Sequence, residues 1–110
     1  MLPSTTECIE IRGLRYNVRQ WGPADAPPVF LLHGWMDASA TFQFVVDALR
    51  QDWHVIAPDW RGYGASEWLG RPYWFPDYYA DLDALLVMLC SAESHFINGA
   101  VIAADDGFAV

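Results

Sequence analysis

The chain has 110 residues, which suits one small domain, and 54% of them are hydrophobic, enough for a core and too many for disorder. Six arginines and no lysine stand against 14 acidic residues, giving a formal charge of −8. That balance repels nucleic acid and anionic membranes, so neither is expected as a partner, and the missing lysine excludes a lysine base or Schiff base.

The first segment, "MLPSTTECIE", has no basic region and no apolar stretch, so no secretion signal is expected. "ECIEIRGLRYNVRQW" alternates around Gly13 and reads as two antiparallel strands, about 7–12 and 14–20, joined at the glycine. "GPADAPP" is a loop, and "VFLLHG" is a continuous apolar run stopped by glycine, the pattern of a strand buried on both faces. From Ser39 to Arg50, Phe42, Val45, Val46 and Leu49 fall at i, i+3, i+4 and i+7, one stripe of a helix. "WHVIAP" is a second buried strand, and "DWRGYGASEWLGRPYW" a long loop. Pro76 opens a second helix, with the stripe Leu82, Leu85, Leu86 and Leu89. "SAESHFIN" breaks that pattern, and "GAVIAA" is a third buried strand. No apolar run approaches the roughly 20 residues of a membrane span. Cys8 and Cys90 lack metal or redox spacing, so a reduced pair in a cytoplasmic protein is expected.

Strand pair, strand, helix, strand, helix, strand implies an α/β fold: an antiparallel pair, then parallel strands with flanking helices. Ligands of such sheets bind beyond the carboxyl ends of the strands, here "HGWMD", "PDWRGYG" and "ADDG". In the first, Gly34 lets backbone approach a bound group, and the amide after it could donate to a developing oxyanion. The bland alternative is a plain turn with an exposed His33. In the second, Asp59 and Arg61 could tie the loop through a charge-assisted hydrogen bond, with Gly62 and Gly64 permitting tight turns. A purely structural loop is the preferred reading there. Ser66 lies in "GASEW", which lacks the strand-then-turn setting of a nucleophile elbow. His54 falls inside a predicted strand, where a structural role is expected, and His95 precedes the last strand.

Together, the strand-"HGW" unit, the helix after it, "APDWRGYGAS" and "YWFPDYYADLDALL" resemble the N-terminal part of the α/β-hydrolase fold over about residues 8–86. The resemblance implies descent from a hydrolase of esters or similar carbonyl compounds. It also implies that the Trp35 amide is an oxyanion donor and that His33, Gly34, Asp59, Arg61, Gly62 and Gly64 shape the site. Members of that family continue with a nucleophile after the next strand, a lid, an acid and a late histidine. None of His33, His54 and His95 has that last position, so a Ser-His-Asp triad is not assembled.

The tail "VMLCSAESHFINGAVIAADDGFAV", residues 87–110, resembles instead the C-terminal end of short-chain dehydrogenases/reductases, with Asp106 in place of a glycine. The dinucleotide glycines and the Tyr-x-x-x-Lys pair of that family are missing, so no cofactor is expected. A fusion near residues 84–88 is the expected origin. "Ala103-Ala104-Asp105-Asp106-Gly107" can also be set against the G-x-D-x-G elbow of epoxide hydrolases and haloalkane dehalogenases, whose carboxylate attacks carbon and forms an ester. Ala103 replaces the first glycine, the adjacent acids repel, and no histidine follows, so a turn residue is the preferred reading of Asp105.

Ala100–Ala104 is expected to pair in parallel with Val29–Leu32, so that the tail completes the sheet of one truncated domain, residues 1–110. The expected function is a hydrolase-derived protein inactive alone, prone to self-association through exposed aromatics. The alternatives are a module binding a small apolar or ester-like ligand or a protein, and a hydrolase working through Asp105.

Overall fold

The chain opens with a hairpin. In the computed structural model, which describes residues 1–68, 70, 73–89 and 101–104, β1 (Ser4–Ile11) pairs antiparallel with β2 (Leu14–Trp21). Arg12 and Gly13 both have positive φ, 49° and 79°, the pattern of a two-residue turn whose twist suits the flanking strands. β1 starts earlier than the apolar alternation suggests, because backbone pairing carries it out to Ser4, opposite Trp21.

β3 (Pro28–Leu32), β4 (His54–Pro58) and β5 (Val101–Ala104) complete a five-stranded sheet of order β1-β2-β4-β3-β5. β2 runs antiparallel to β4, while β3 runs parallel to both β4 and β5. The pairing expected for the tail is present, with Val29 opposite Val101 and Leu32 opposite Ala104. β3 therefore has neighbours on both sides, which is what an unbroken apolar run requires. β5 forms the edge.

Side chains alternate between the two faces of the sheet. On one face, Ile11, Leu14, Tyr16, Val18, Phe30 and Ile56 enclose Leu85 of α2 (Phe75–Leu89). On the other, Trp21, Val55 and Ala57 enclose Val46 of α1 (Gln43–Asp47). The sheet thus lies between its two helices, and both faces of β3 and β4 are covered.

The first helix is much shorter than the stripe from Ser39 to Arg50 predicts. A 3-10 turn at Ser39–Phe42 leads into only five α-helical residues, and neither segment has a side-chain cap. Of the four stripe residues only Val46 is fully buried, while Val45 and Leu49 are exposed. So little burial cannot extend a helix whose propagation depends on tertiary packing. α2 is better founded. Asp77 accepts from the Trp74 amide at 3.2 Å and its own amide donates to the Trp74 carbonyl at 2.9 Å, closing the first turn. No described helix is long and apolar enough to cross a membrane. Cys8 is an exposed free thiol, and Cys90 lies outside the described residues.

Leu85 is the fully buried apolar anchor of α2. Leu85→Ala is expected to lower unfolding free energy by about 2–5 kcal/mol in urea titration. A change near zero would mean that α2 is not packed as described.

Candidate functional site

Two loops leave the carboxyl ends of the neighbouring strands β3 and β4. The first begins with His33, which is buried, not exposed as a plain turn would leave it. The Trp60 backbone N–H donates to His33 Nε2 at 2.9 Å, so that nitrogen must be unprotonated. The ring proton therefore sits on Nδ1, which donates to the Gly34 carbonyl at 2.8 Å. The Trp60 indole N–H donates back to the His33 carbonyl at 2.9 Å. Burial pushes the His33 pKa down, against the opposing pull of the Gly34 carbonyl and the charges of Asp59 and Asp37. A neutral imidazole thus joins the two loops.

Trp35 and Met36 form the turn that follows. Met36 has φ of 58°, a left-handed conformation that costs a side-chain-bearing residue about 1–2 kcal/mol. Asp37 steadies the exit, accepting from the Ala38 amide at 2.8 Å and from the Thr41 hydroxyl. Trp35 is 52% exposed. Its ring packs against Tyr63, Phe75 and Tyr78, with centroids 5.7, 6.0 and 6.4 Å away. Burial, helped by Tyr63 and Tyr73, pushes the Tyr78 hydroxyl up to about 12, so it stays protonated. Phe75 itself is largely exposed, as are its chain neighbour Trp74 and Tyr79 one turn on, which gives the site an apolar rim.

The second loop corrects one expectation. Asp59 and Arg61 do not pair with each other, because each turns to a better partner elsewhere. The buried Asp59 carboxylate accepts from the Ser39 amide at 2.6 Å, the Asn17 side chain at 2.9 Å and the Ala65 amide at 3.1 Å. Burial alone would raise its pKa, but these donors outweigh burial and hold it below the ordinary carboxylate value. Gly64 makes room for this arrangement. It has φ of 53°, and a Cβ there would lie 2.3 Å from the Asp59 carboxyl carbon.

Arg61 points to α2 and grips Asp81 with both ends of its fork, Nε and Nη2 each at 2.6 Å. Asp81 also takes Arg12 at 3.0 Å and the Tyr16 hydroxyl, which itself accepts from the Arg61 amide at 3.0 Å. The Tyr73 ring lies over the guanidinium at 5.4 Å, and a Cβ on Gly62 would come within 2.6 Å of that ring. The pairing with Asp81 raises the Arg61 pKa further, and burial together with Asp81 raises that of Tyr16.

Ser66 is buried and fully used. Its hydroxyl donates to the Asp59 carbonyl at 2.6 Å and accepts from the Asn17 amide at 2.9 Å. His54 is buried in β4 with Nε2 2.7 Å from the Gln20 side chain, the structural role expected of it. Asp105 and His95 lie outside the described residues. The structure therefore brings His33, Gly34, Trp35, Asp59, Gly62 and Gly64 to one edge, and turns Arg61 away toward the helix. Sequence reasoning missed Asn17, Ser39, Tyr16 and Asp81. Asp81 did leave a trace, since it lies one turn before Leu85 on the apolar stripe of its helix. Among the described residues, no group of three or more His, Cys, Asp and Glu is placed to hold a metal ion.

A family model described as alpha/beta hydrolase fold matches residues 27–95. A "Serine hydrolase-like protein" of Danio rerio is 43% identical over 100 residues, covering 84% of this chain and 28% of that protein. A "Serine hydrolase-like protein" of Homo sapiens is 32% identical over 73 residues, covering 64% of this chain and 36% of that protein. Among solved structures, a loop variant of the haloalkane dehalogenase DbeA from Bradyrhizobium elkanii superposes with a TM-score of 0.78 at 30% identity, covering 94% of this chain and 32% of that one. The chain thus spans only 28% and 36% of the length of these two relatives.

Two measurements check the two carboxylates. The Asp59 pKa is depressed in the folded state, so on acidification the unfolded chain takes up its proton first. Stability is then full above the ordinary value of about 3.9 and is lost as pH falls from there toward the lower folded value. Urea midpoints from pH 6 to 2.5 are expected to fall in that window, and less steeply in Asp59→Asn. Asp81→Asn leaves buried Arg61 with only the longer contact to the half-buried Asp77, at 3.8 Å, and is expected to cost about 3–5 kcal/mol in the same titration at pH 7. A cost below about 1 kcal/mol, the range of exposed pairs, would contradict the buried pairing.

Proposed function

The chain belongs to the α/β-hydrolase fold family, and we propose that it carries the oxyanion side of a hydrolase site without the groups that complete one. The observation behind this reading is the turn at Trp35, held from behind by neutral His33 at the carboxyl end of β3. Among the described residues no hydrogen bond occupies the Trp35 amide. An amide free at this place suits an anion that develops only during reaction. The half-exposed aromatic rim suits a small apolar or ester-like substrate, and in its absence self-association.

The neighbouring groups support inactivity of the chain alone. The Ser66 proton is given to the Asp59 carbonyl, and the carboxylates of Asp59 and Asp81 are saturated with donors. His33 and His54 are both buried in structural hydrogen bonds. A nucleophile and its base would then come from residues beyond these loops. The serine hydrolase-like relatives favour ester or related acyl chemistry for the complete protein. The dehydrogenase-like origin of residues 87–110 rests on their motif, while the hydrolase match reaches into that tail, to residue 95.

A second reading has its own observation. β5 lies beside β3, with Ala104 opposite Leu32, the residue before His33. Asp105 follows next in the chain, and the dehalogenase likeness points to a carboxylate that attacks carbon. The purified chain is expected to hydrolyse p-nitrophenyl acetate no faster than buffer does. Turnover above buffer would overturn the incomplete site, and its loss in Asp105→Asn would establish the aspartate reading.

A further inference from the structure

We propose that His33 is a proton-operated latch between the loops after β3 and β4, shut while its imidazole is neutral and opened by protonation. The latch has three hydrogen bonds. Nδ1–H donates to the Gly34 carbonyl, the Trp60 amide donates to Nε2, and the Trp60 indole donates to the His33 carbonyl. The second of these depends on the lone pair of Nε2. A proton from solvent that lands there converts an acceptor into a donor, which then faces the Trp60 N–H donor. Two donors cannot share the contact, so Trp60 and His33 must separate.

The groups around the ring set when this happens. Asp59, at the end of β4, and Asp37, in the loop after β3, are the charged groups that act on it, and both favour the imidazolium. Arg61, the next cation along the second loop, is committed to Asp81. The rings of Trp60 and Tyr63 meet the imidazole edge-on, with centroids at 6.4 and 6.0 Å, and exclude water from it. Burial outweighs the two carboxylates, so the folded value lies below the ordinary one of about 6.5. The latch is therefore shut at neutral pH and opens as pH falls through the lowered folded value. Asp59 does not titrate there, because its own donors hold it below the ordinary carboxylate range.

Opening frees the backbone on which the Trp35 amide is carried. The consequence for activity rests on the oxyanion reading above, whereas the latch itself does not. Its test uses no substrate, so a failed esterase assay and a failed latch are separate results.

Nitrogen-15 NMR of the full chain from pH 8 to 4.5 provides the test. In the wild type, the Trp60 amide and indole signals are expected to move together along a one-proton curve with a midpoint below 6.5, while methyl dispersion shows the core intact. In His33→Gln both are expected to be flat, because the carboxamide oxygen accepts the Trp60 amide at every pH. In His54→Gln the wild-type curve is expected to persist. Flat Trp60 signals in the wild type, or an unchanged curve in His33→Gln, would overturn the latch. Should His33→Gln fail to fold, the ring nitrogens of wild-type His33 decide the matter. Nε2 unprotonated at pH 8 and protonated along the same curve supports it, and Nε2 protonated at pH 8 overturns it.

Discussion

A buried carboxylate needs either a cation or a set of aimed dipoles. Asp59 has the dipoles. Its oxygens take N–H donors from Asn17 of β2, from Ser39 at the exit of the first site loop and from Ala65 in the second. Each hydrogen bond to a charged group is worth about 1.5–3 kcal/mol. More important, the three donors lie on three separate segments, so one charge fixes their mutual position. The Asp59 carbonyl adds Ser66, and Ser66 returns to the Asn17 amide. Removing the carboxylate would leave several inward-facing donors with nothing to meet.

Asp81 solves the same problem with cations. Arg61 grips it bidentately, Arg12 reaches it from the hairpin turn, and Tyr16 closes the remaining side. This second centre ties α2 to the hairpin and to the loop after β4. Two residues of one loop, on either side of Trp60, thus serve two anchors on opposite sides, Asp59 inward and Arg61 toward the helix. The loop between the anchors has little freedom, and it is this loop that backs the Trp35 turn through Trp60 and His33. Rigidity of this kind suits a site that must aim an amide. The aromatic rim outside it is largely exposed, with Phe75 set against the Trp35 ring.

Much of the fold was legible because burial leaves a period in the sequence. The alternation around Gly13 announced the hairpin, and the apolar runs at residues 29–32, 54–58 and 101–104 announced strands that the sheet brings together. Even the neighbour of β5 followed from the need to cover an apolar edge. The first helix falls short of its stripe because periodicity does not say how much of a stripe is covered, and Phe44 and Val45 are exposed. The site was less legible. Asp59 and Arg61 stand at the strand end, as their positions in the sequence imply, but they do not pair with each other. Proximity in sequence says nothing of donors 20 to 42 residues away, and Ser39 and Asn17 stand at those separations from Asp59. Asp81 could have been found as a charge on an apolar helix face, a position tolerated only with a buried partner.

Amide hydrogen exchange at Ser39 and Ala65 tests the role of Asp59 most directly. Ser39 opens a short 3-10 turn and Ala65 lies in a loop, so neither amide has a strand or helix partner, yet both donate to the buried carboxylate. At neutral pH they are expected to exchange only through global unfolding, with free energies matching those of core amides such as Ile56. Exchange at the rate of unstructured loop amides, with the core still protected, would contradict the claim that one carboxylate holds both loops.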